Sequence, residues 1–430
     1  MRILKTRQKD FKSLFAQIIN RGQTEIETVE NTVRAILQEV KKHGDAALLR
    51  FAERFDKRVI RKTELKISEQ TIKESQEKIF KKNLSSLKSA CQRIETFHRR
   101  QIEQSWFCTE SSGITLGQIV QPLKKVGIYV PGGKALYPSS VLMNAIPARV
   151  AGVHKIIMVS PGTETGINPM ILAAADLCGI TDIYQVGGAH AIAALAYGTE
   201  TIPKVDKIVG PGNIYVAAAK RLVYGAVDID MIAGPSEILI ISDGSCDPAY
   251  IASDLLSQAE HDEMACAILL TPHETHARGV QKELAAQLKR IKKQPIAARA
   301  LENHGALIVT RGISEALELA NEVAPEHLEL AVEQPWDLVP HIKNAGAVFL
   351  GHYTPEAVGD YMAGPNHVLP TGGTARFFSP LSVGDFLKKT SLVSFSRDAL
   401  RAVAPDVIRL ARAESLDAHA QSVVQRLKKN

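Results

Sequence analysis

The stretch LLSQAEH at residues 255–261 carries a glutamine where the pattern calls for a hydrocarbon. Asp247-Pro248 reads as a helix start, with an N-cap followed by proline at the first helical position. Ile251, Leu255 and Gln258 then fall at i, i+4 and i+7 and share one face. An unpartnered buried amide costs ~1–3 kcal/mol, so Gln258 needs a partner. Asp254 and His261 flank the same face, four residues before and three after. Two readings follow: a self-satisfied Asp–Gln–His hydrogen-bond row, or two ligands one turn apart aimed at a third body.

Three other stretches hold groups of similar chemistry. APEHLEL (324–330) sets Glu326 beside His327, two bases on one turn; Pro and Glu also suit the first turn of a helix. His titrates near neutrality unaided, whereas Glu needs burial to become a useful acid or base. GDYMAGPNHVLPTGG (359–373) holds Asp360 and His367 in a segment without regular pattern, and such loops are frequent binding sites. ARAESLDAHAQSV (411–423) carries Glu414 and His419 on what reads as a solvated helical face. Gln, His and Asp without a thiolate suit Zn²⁺ or a similar divalent ion. Spacing alone does not bring them together.

The elements that must position these groups alternate. Residues 24–110 read as amphipathic helices, with Val29, Val33, Ile36, Leu37 and Val40 on one stripe. From Gly127 short apolar strands and helices take turns: GIYV, KIIMVSP, DIYQV, KIVG and ILIIS, then AILLT, ALIVT and AVFLG. This is the pattern of parallel sheets covered on both faces. Glycines follow several strands (PGG at 131–133, VGG at 186–188, VGPGN at 209–213), where backbone approaches phosphate most easily. No GxGxxG occurs, so plain turn glycines explain them equally well. The fold class is α/β: two parallel-sheet Rossmann-like units with helical N- and C-terminal extensions. The expected division is 1–24, an N-terminal helical extension; 25–127 plus 238–380, a first α/β domain with most of the metal site; 128–237, a second Rossmann-like domain; and 381–430, a helical tail reaching a partner subunit.

Net charge is +6, from 52 basic and 46 acidic residues. No dense Lys/Arg block with interleaved aromatics occurs, which argues against nucleic acid. No run of 18 apolar residues argues against a membrane span. The five cysteines form no CxxC and none neighbours a base motif, so free thiols, a cytoplasmic location and non-covalent chemistry are expected.

Eight motifs in order carry a resemblance: GIYVPGG (127–133), GGAHAIAALAYGT (187–199), KIVGPGN (207–213), DMIAGPSE (230–237), SDLLSQAEH (253–261), PEHL (325–328), GDYMAGPNHVLPTGG (359–373) and AESLDAH (413–419). The chain resembles the histidinol dehydrogenase family over about residues 25–425. The resemblance implies four-electron oxidation of L-histidinol to L-histidine through the aldehyde, with two NAD, at the end of histidine biosynthesis. It implies one Zn²⁺ per subunit held by Gln258, His261, Asp360 and His419, the last from the partner of a homodimer with shared active sites. It further implies substrate contacts from Ser236, Gln258, His261, His327, Asp360, Glu414 and His419, NAD contacts from Tyr129, His190 and Asn213, and catalysis by Glu326 and His327. The family pattern has Gln where this chain has His190, a residue able to titrate. The alternative is a related zinc- and NAD-dependent dehydrogenase of another amino alcohol or diol.

Overall fold

Two parallel sheets dominate the computed structural model, which describes residues 1–19, 23–132, 137–232 and 234–428. Gly133 of the PGG turn, Ala233 of DMIAGPSE and residues 20–22 of the N-terminal segment lie outside the described residues. In chain order the strands are β1 (Arg2–Lys5), β2 (Trp106–Thr109), β3 (Ile114–Pro122), β4 (Lys125–Tyr129), β5 (Lys155–Val159), β6 (Asp182–Tyr184), β7 (Lys207–Val209), β8 (Asp228–Ile229), β9 (Glu237–Ser242), β10 (Cys266–Thr271), β11 (Ala306–Val309), β12 (His327–Ala331), β13 (Ala347–Leu350) and β14 (Leu387–Phe395).

Sheet order is β6-β5-β4-β7-β8 in one case and β1-β11-β10-β9-β12-β13 in the other, with every pairing parallel. The six residues of β9 and of β10 are all buried. Such continuous apolar runs belong to strands covered on both faces, and separate cores lie on the two faces of each sheet. The helix Gly188–Tyr197 is buried nearly all round, as its Ala- and Leu-rich sequence requires.

Two compact units result: Met1–Gln101 with Leu123–Phe386, and Ile102–Pro122 with Leu387–Asn430. The first holds both parallel sheets. The second holds an antiparallel sheet, β14-β3-β2, and the helices Arg397–Ala413 and Asp417–Leu427.

Three expectations are corrected. Residues 1–24 are not wholly helical, because Arg2–Lys5 forms β1 and pairs with β11. Its RILK sequence is too short to declare itself; the neighbouring strand supplies the ladder. The helices within 25–101 pack on the five-stranded sheet and not solely on the 238–380 elements: Val33, Ile36, Val40 and Leu48 share a core with Ile157 and Ile208, while Leu87, Ala90 and Ile94 share one with Val126 and Met158 that Val368 also joins. An amphipathic stripe announces burial without naming the surface it meets. Residues 381–430 are not all helical either, since β14 pairs along nine positions with β3. That register comes from a strand far away in sequence.

Candidate active site

In the six-stranded sheet the chain runs from β9 outward to β10 and β11, then returns to β12 and β13 on the other side. Strand order therefore reverses between β9 and β12. Parallel sheets usually bind ligands at the carboxyl ends of such strands; here the reactive side chains gather at the amino ends. Glu237 opens β9 and His327 opens β12, with His327 opposite Ile238.

These strand starts are tied together. The Glu237 N–H donates to Glu326 Oε2 at 2.9 Å, and the Glu326 N–H to Glu237 Oε2 at 3.4 Å. His327 Nδ1 lies 2.9 Å from the Glu237 carbonyl oxygen. A carbonyl only accepts, so Nδ1 carries the proton and Nε2 keeps its lone pair. His327 is buried, and burial drives its pKa down to about 4, against the opposing pull of Asp360. It is a neutral base at pH 7. The EHLEL segment reads as a helix start in sequence but is strand β12, because ladders with β9 and β13 override the Pro-Glu signal. Ala324 turns the chain into it with φ +51°. Gly346 lets β13 pass: a Cβ there would meet the Glu326 carbonyl oxygen at 2.5 Å.

Gln258 and His261 come from the helix Pro248–Ala259 and its end. Asp247 caps that helix, accepting from the Ala249 N–H at 2.8 Å, with Pro248 in its first turn. Gln258 is 0% exposed. Amide orientation follows from the surrounding donors and acceptors, and it sets Nε2 3.0 Å and 3.1 Å from the two oxygens of Glu356. Nε2 also lies 3.3 Å from His327 Nδ1, but that nitrogen already donates to Glu237, so the carboxylate is the true acceptor. The Asp–Gln–His row does not form: Asp254 hydrogen-bonds Glu329 instead. Glu329 Oε1 in turn accepts the Glu356 N–H at 2.8 Å.

His261 is solvent-exposed. Its pKa is lowered by the protein around it, partly offset by Asp360, and it senses His367. His327, Glu356 and Asp360 offer ligand atoms that lie within 4.8 Å of one another. Burial, with Asp360 and Glu326 nearby, pushes the Glu356 carboxyl well above the usual range. His367 Nε2 is buried without a hydrogen-bond partner. Ser236 is half-buried, and its carbonyl accepts the Cys266 N–H at 3.0 Å. Beside Asp360 opens a cavity of about 320 Å³, lined among others by Leu87, Ala90, Pro138, Leu142 and Tyr361. Nitrogen and oxygen donors converging without thiolate fit a borderline divalent ion such as zinc.

A second crevice lies in the five-stranded sheet. Its order reverses between β4 and β7, the point at which parallel sheets usually bind ligands at the carboxyl ends of their strands. Tyr129 ends β4, and its hydroxyl accepts the Gly188 N–H at 3.1 Å. Asn213 follows β7 and caps the helix Ile214–Val223, accepting from Tyr215 and Val216. Gly210 (φ +112°) passes so close that a Cβ would lie 2.2 Å from the Tyr129 carbonyl oxygen. Its N–H donates to Asp230 at 2.8 Å and its carbonyl accepts from Lys220 at 3.0 Å, while Lys220 and Asp230 form a buried ion pair. His190 packs against Phe51 and Phe55. Its Nε2 is unpartnered, 3.9 Å from Asp56 and beyond hydrogen-bond reach. Burial lowers its pKa to about 4. Glycine backbone, two helix N-termini and a buried orphan nitrogen fit a dinucleotide.

Glu414 and His419 belong to the second unit, where both are exposed. Glu414 follows the helix Arg397–Ala413 and His419 lies in Asp417–Leu427. Sequence reasoning missed Glu237, Glu329 and Glu356. Glu329 was findable by the argument applied to Gln258: it is a polar residue inside the wholly buried run HLELA.

The profile of the histidinol dehydrogenase family matches residues 19–427. The chain belongs to the histidinol dehydrogenase family. Among relatives, the histidinol dehydrogenase of Syntrophotalea carbinolica is 53% identical over 428 residues, covering 100% of this chain and 99% of that protein. That of Geobacter sulfurreducens is 53% identical over 429 residues, covering 100% of both. The crystal structure of histidinol dehydrogenase from Elizabethkingia anophelis superposes with a TM-score of 0.93 at 37% identity, covering 99% of this chain and 98% of that one. Membership makes the chain an oxidoreductase of α/β fold. Among the described residues no helix is long and apolar enough to cross a membrane.

Proposed function

We propose that this protein oxidises L-histidinol to L-histidine through the aldehyde, with two NAD and one zinc per subunit, in the cytoplasm. Full-length kinship with proteins named for that substrate carries the reading. Gln258, His261 and Asp360 of one chain, with His419 of a second copy, would hold the zinc; Tyr129, His190 and Asn213 would line the NAD crevice. When bound, the metal fixes the substrate's nitrogens and the nicotinamide accepts hydride at each oxidation.

The chain's own groups manage the protons. His327 Nε2, kept unprotonated by the Nδ1 bond to Glu237, takes the alcohol proton as the carbon gives up hydride. Glu326 takes a proton from the water that adds to the aldehyde. His327 then accepts the proton of the resulting hydrate in the second oxidation. Ser236 and Glu414 complete the substrate contacts. A shared-site homodimer is supported by the second unit, which leaves Trp106, Phe107, Val393 and Leu410 exposed at 55%, 75%, 66% and 64%. So much exposed apolar surface on a small unit marks an association face.

The test is the yield of NADH per histidinol in burst-free steady state, with and without chelator. Two per substrate, abolished by chelation, is expected; one per substrate favours the simpler amino-alcohol dehydrogenase. Glu326→Gln is expected to spare alcohol oxidation and slow aldehyde oxidation by about 10²–10⁴-fold, while His327→Asn slows both. Equal losses for Glu326→Gln in both half-reactions would sink that division of labour.

A further inference from the structure

Glu356 stands inside the site without a role in the reaction above. It is 2% exposed and opens the helix Glu356–Tyr361, which also carries Asp360. Its two oxygens receive the Gln258 amide nitrogen at 3.0 Å and 3.1 Å. A divalent cation in the site would keep Glu356 ionised despite its burial; an ionised carboxylate only accepts, so the reversed amide would then set oxygen against oxygen. With its nitrogen held, Gln258 has one group left to offer the site, its carbonyl oxygen. Only that end of a carboxamide ligates a divalent ion well, because the nitrogen lone pair is delocalised into the carbonyl.

Glu356 is itself braced from two directions. Its N–H donates to Glu329 Oε1 at 2.8 Å, from the middle of β12. Glu329 also hydrogen-bonds Asp254, which lies one turn before Gln258 on the same helix. Strand, short helix and long helix therefore close a ring around the amide.

We propose that Glu356 is a positioning residue that locks the Gln258 amide with its oxygen toward the metal. The proposal rests on the zinc reading above. Outer partners of metal ligands are worth 10–100-fold in metal affinity. The competing role is direct ligation, since the Glu356 carboxylate shares a 4.8 Å cluster with His327 and Asp360.

The experiment compares the full-length wild type with Glu356→Ala and Glu356→Gln. It measures Zn²⁺ affinity by competition with a chromophoric chelator, the visible spectrum at Co²⁺ saturation, and the Tm of metal-free protein. Expected are a loss of affinity of ~10–100-fold for Glu356→Ala and a smaller loss for Glu356→Gln, whose amide oxygen still accepts from Gln258. The cobalt bands should stay at wild-type positions, and the metal-free Tm of Glu356→Gln should not fall. Affinities within twofold of wild type in both variants would overturn the proposal. So would displaced cobalt bands, which make Glu356 a ligand, or an affinity loss matched by a fall in metal-free Tm, which makes it structural. A wild type that binds no zinc fails the zinc reading and takes this inference with it; a zinc-binding wild type with unaffected variants fails the inference alone.

Discussion

His327 and His190 are both buried imidazoles held neutral, for different ends. His327 keeps Nδ1–H on a backbone carbonyl and leaves its Nε2 lone pair beside Glu356, 3.8 Å away. His190 has no such anchor, and its pKa of about 4 has burial as its cause. It therefore cannot titrate across the physiological range, and NAD binding above pH 5 should not depend on its charge. Stability should. The unfolded imidazole takes up a proton near pH 6.5 while the folded one resists until about 4. The unfolded state thus binds more protons in that window, and the contribution is complete above pH 6.5 and lost as pH falls toward 4. Between pH 7 and 5 the cost is about 2 kcal/mol. Urea unfolding of His190→Gln at the two values should show a loss smaller by that amount. Identical losses in variant and wild type would remove His190 from the account.

At the scale of elements, the site is a meeting of strand starts, and neighbouring backbone sets them. Gly346→Ala is the direct probe. Its Cβ would meet backbone rather than a yielding side chain, 2.5 Å from the Glu326 carbonyl oxygen. Glu326 and His327 must move, with a stability loss of about 1–3 kcal/mol and a fall in both oxidation steps, read by chemical denaturation and turnover. Gly312→Ala, which meets open space but gives up a favoured helix N-cap residue, is the control and should leave turnover unchanged at a stability loss of less than about 1 kcal/mol. This is also where the sequence was least legible. Helix starts at Pro138, Pro169 and Pro248 announce themselves through local rules, and the apolar strands through continuous runs. The segment 325–331 misleads, because Pro-Glu is a local helix signal and the ladder that overrules it comes from residues 89 and 20 positions away. Gln258 was legible as an anomaly, but its partner Glu356 was not, since nothing in TPEAVGD indicates burial.

At the scale of the whole molecule, the expected assembly makes a sharp demand. If His419 of one copy completes the zinc site of another, Gln258→Ala and His419→Ala are each inactive alone. Mixed and allowed to exchange, they should regain up to one working site per mixed dimer, about a quarter of wild-type specific activity at equal input by random pairing. Absence of rescue after demonstrated exchange would count against a shared site. The two parallel sheets also differ in which rim they use. The proposed NAD contacts Tyr129 and Asn213 lie where β4 and β7 end; the proposed acid–base pair, Glu326 and His327, lies where β12 begins, tied to the start of β9. A strand end hands over to a loop that can lengthen without disturbing the ladder behind it. A strand start cannot be extended so freely: one extra residue before Glu237 or His327 that slips into the ladder shifts its register and turns each following side chain to the opposite face. Tolerance to insertion should therefore be polarised, generous on the carboxyl rim of the five-stranded sheet and close to nil on the amino rim of the six-stranded one.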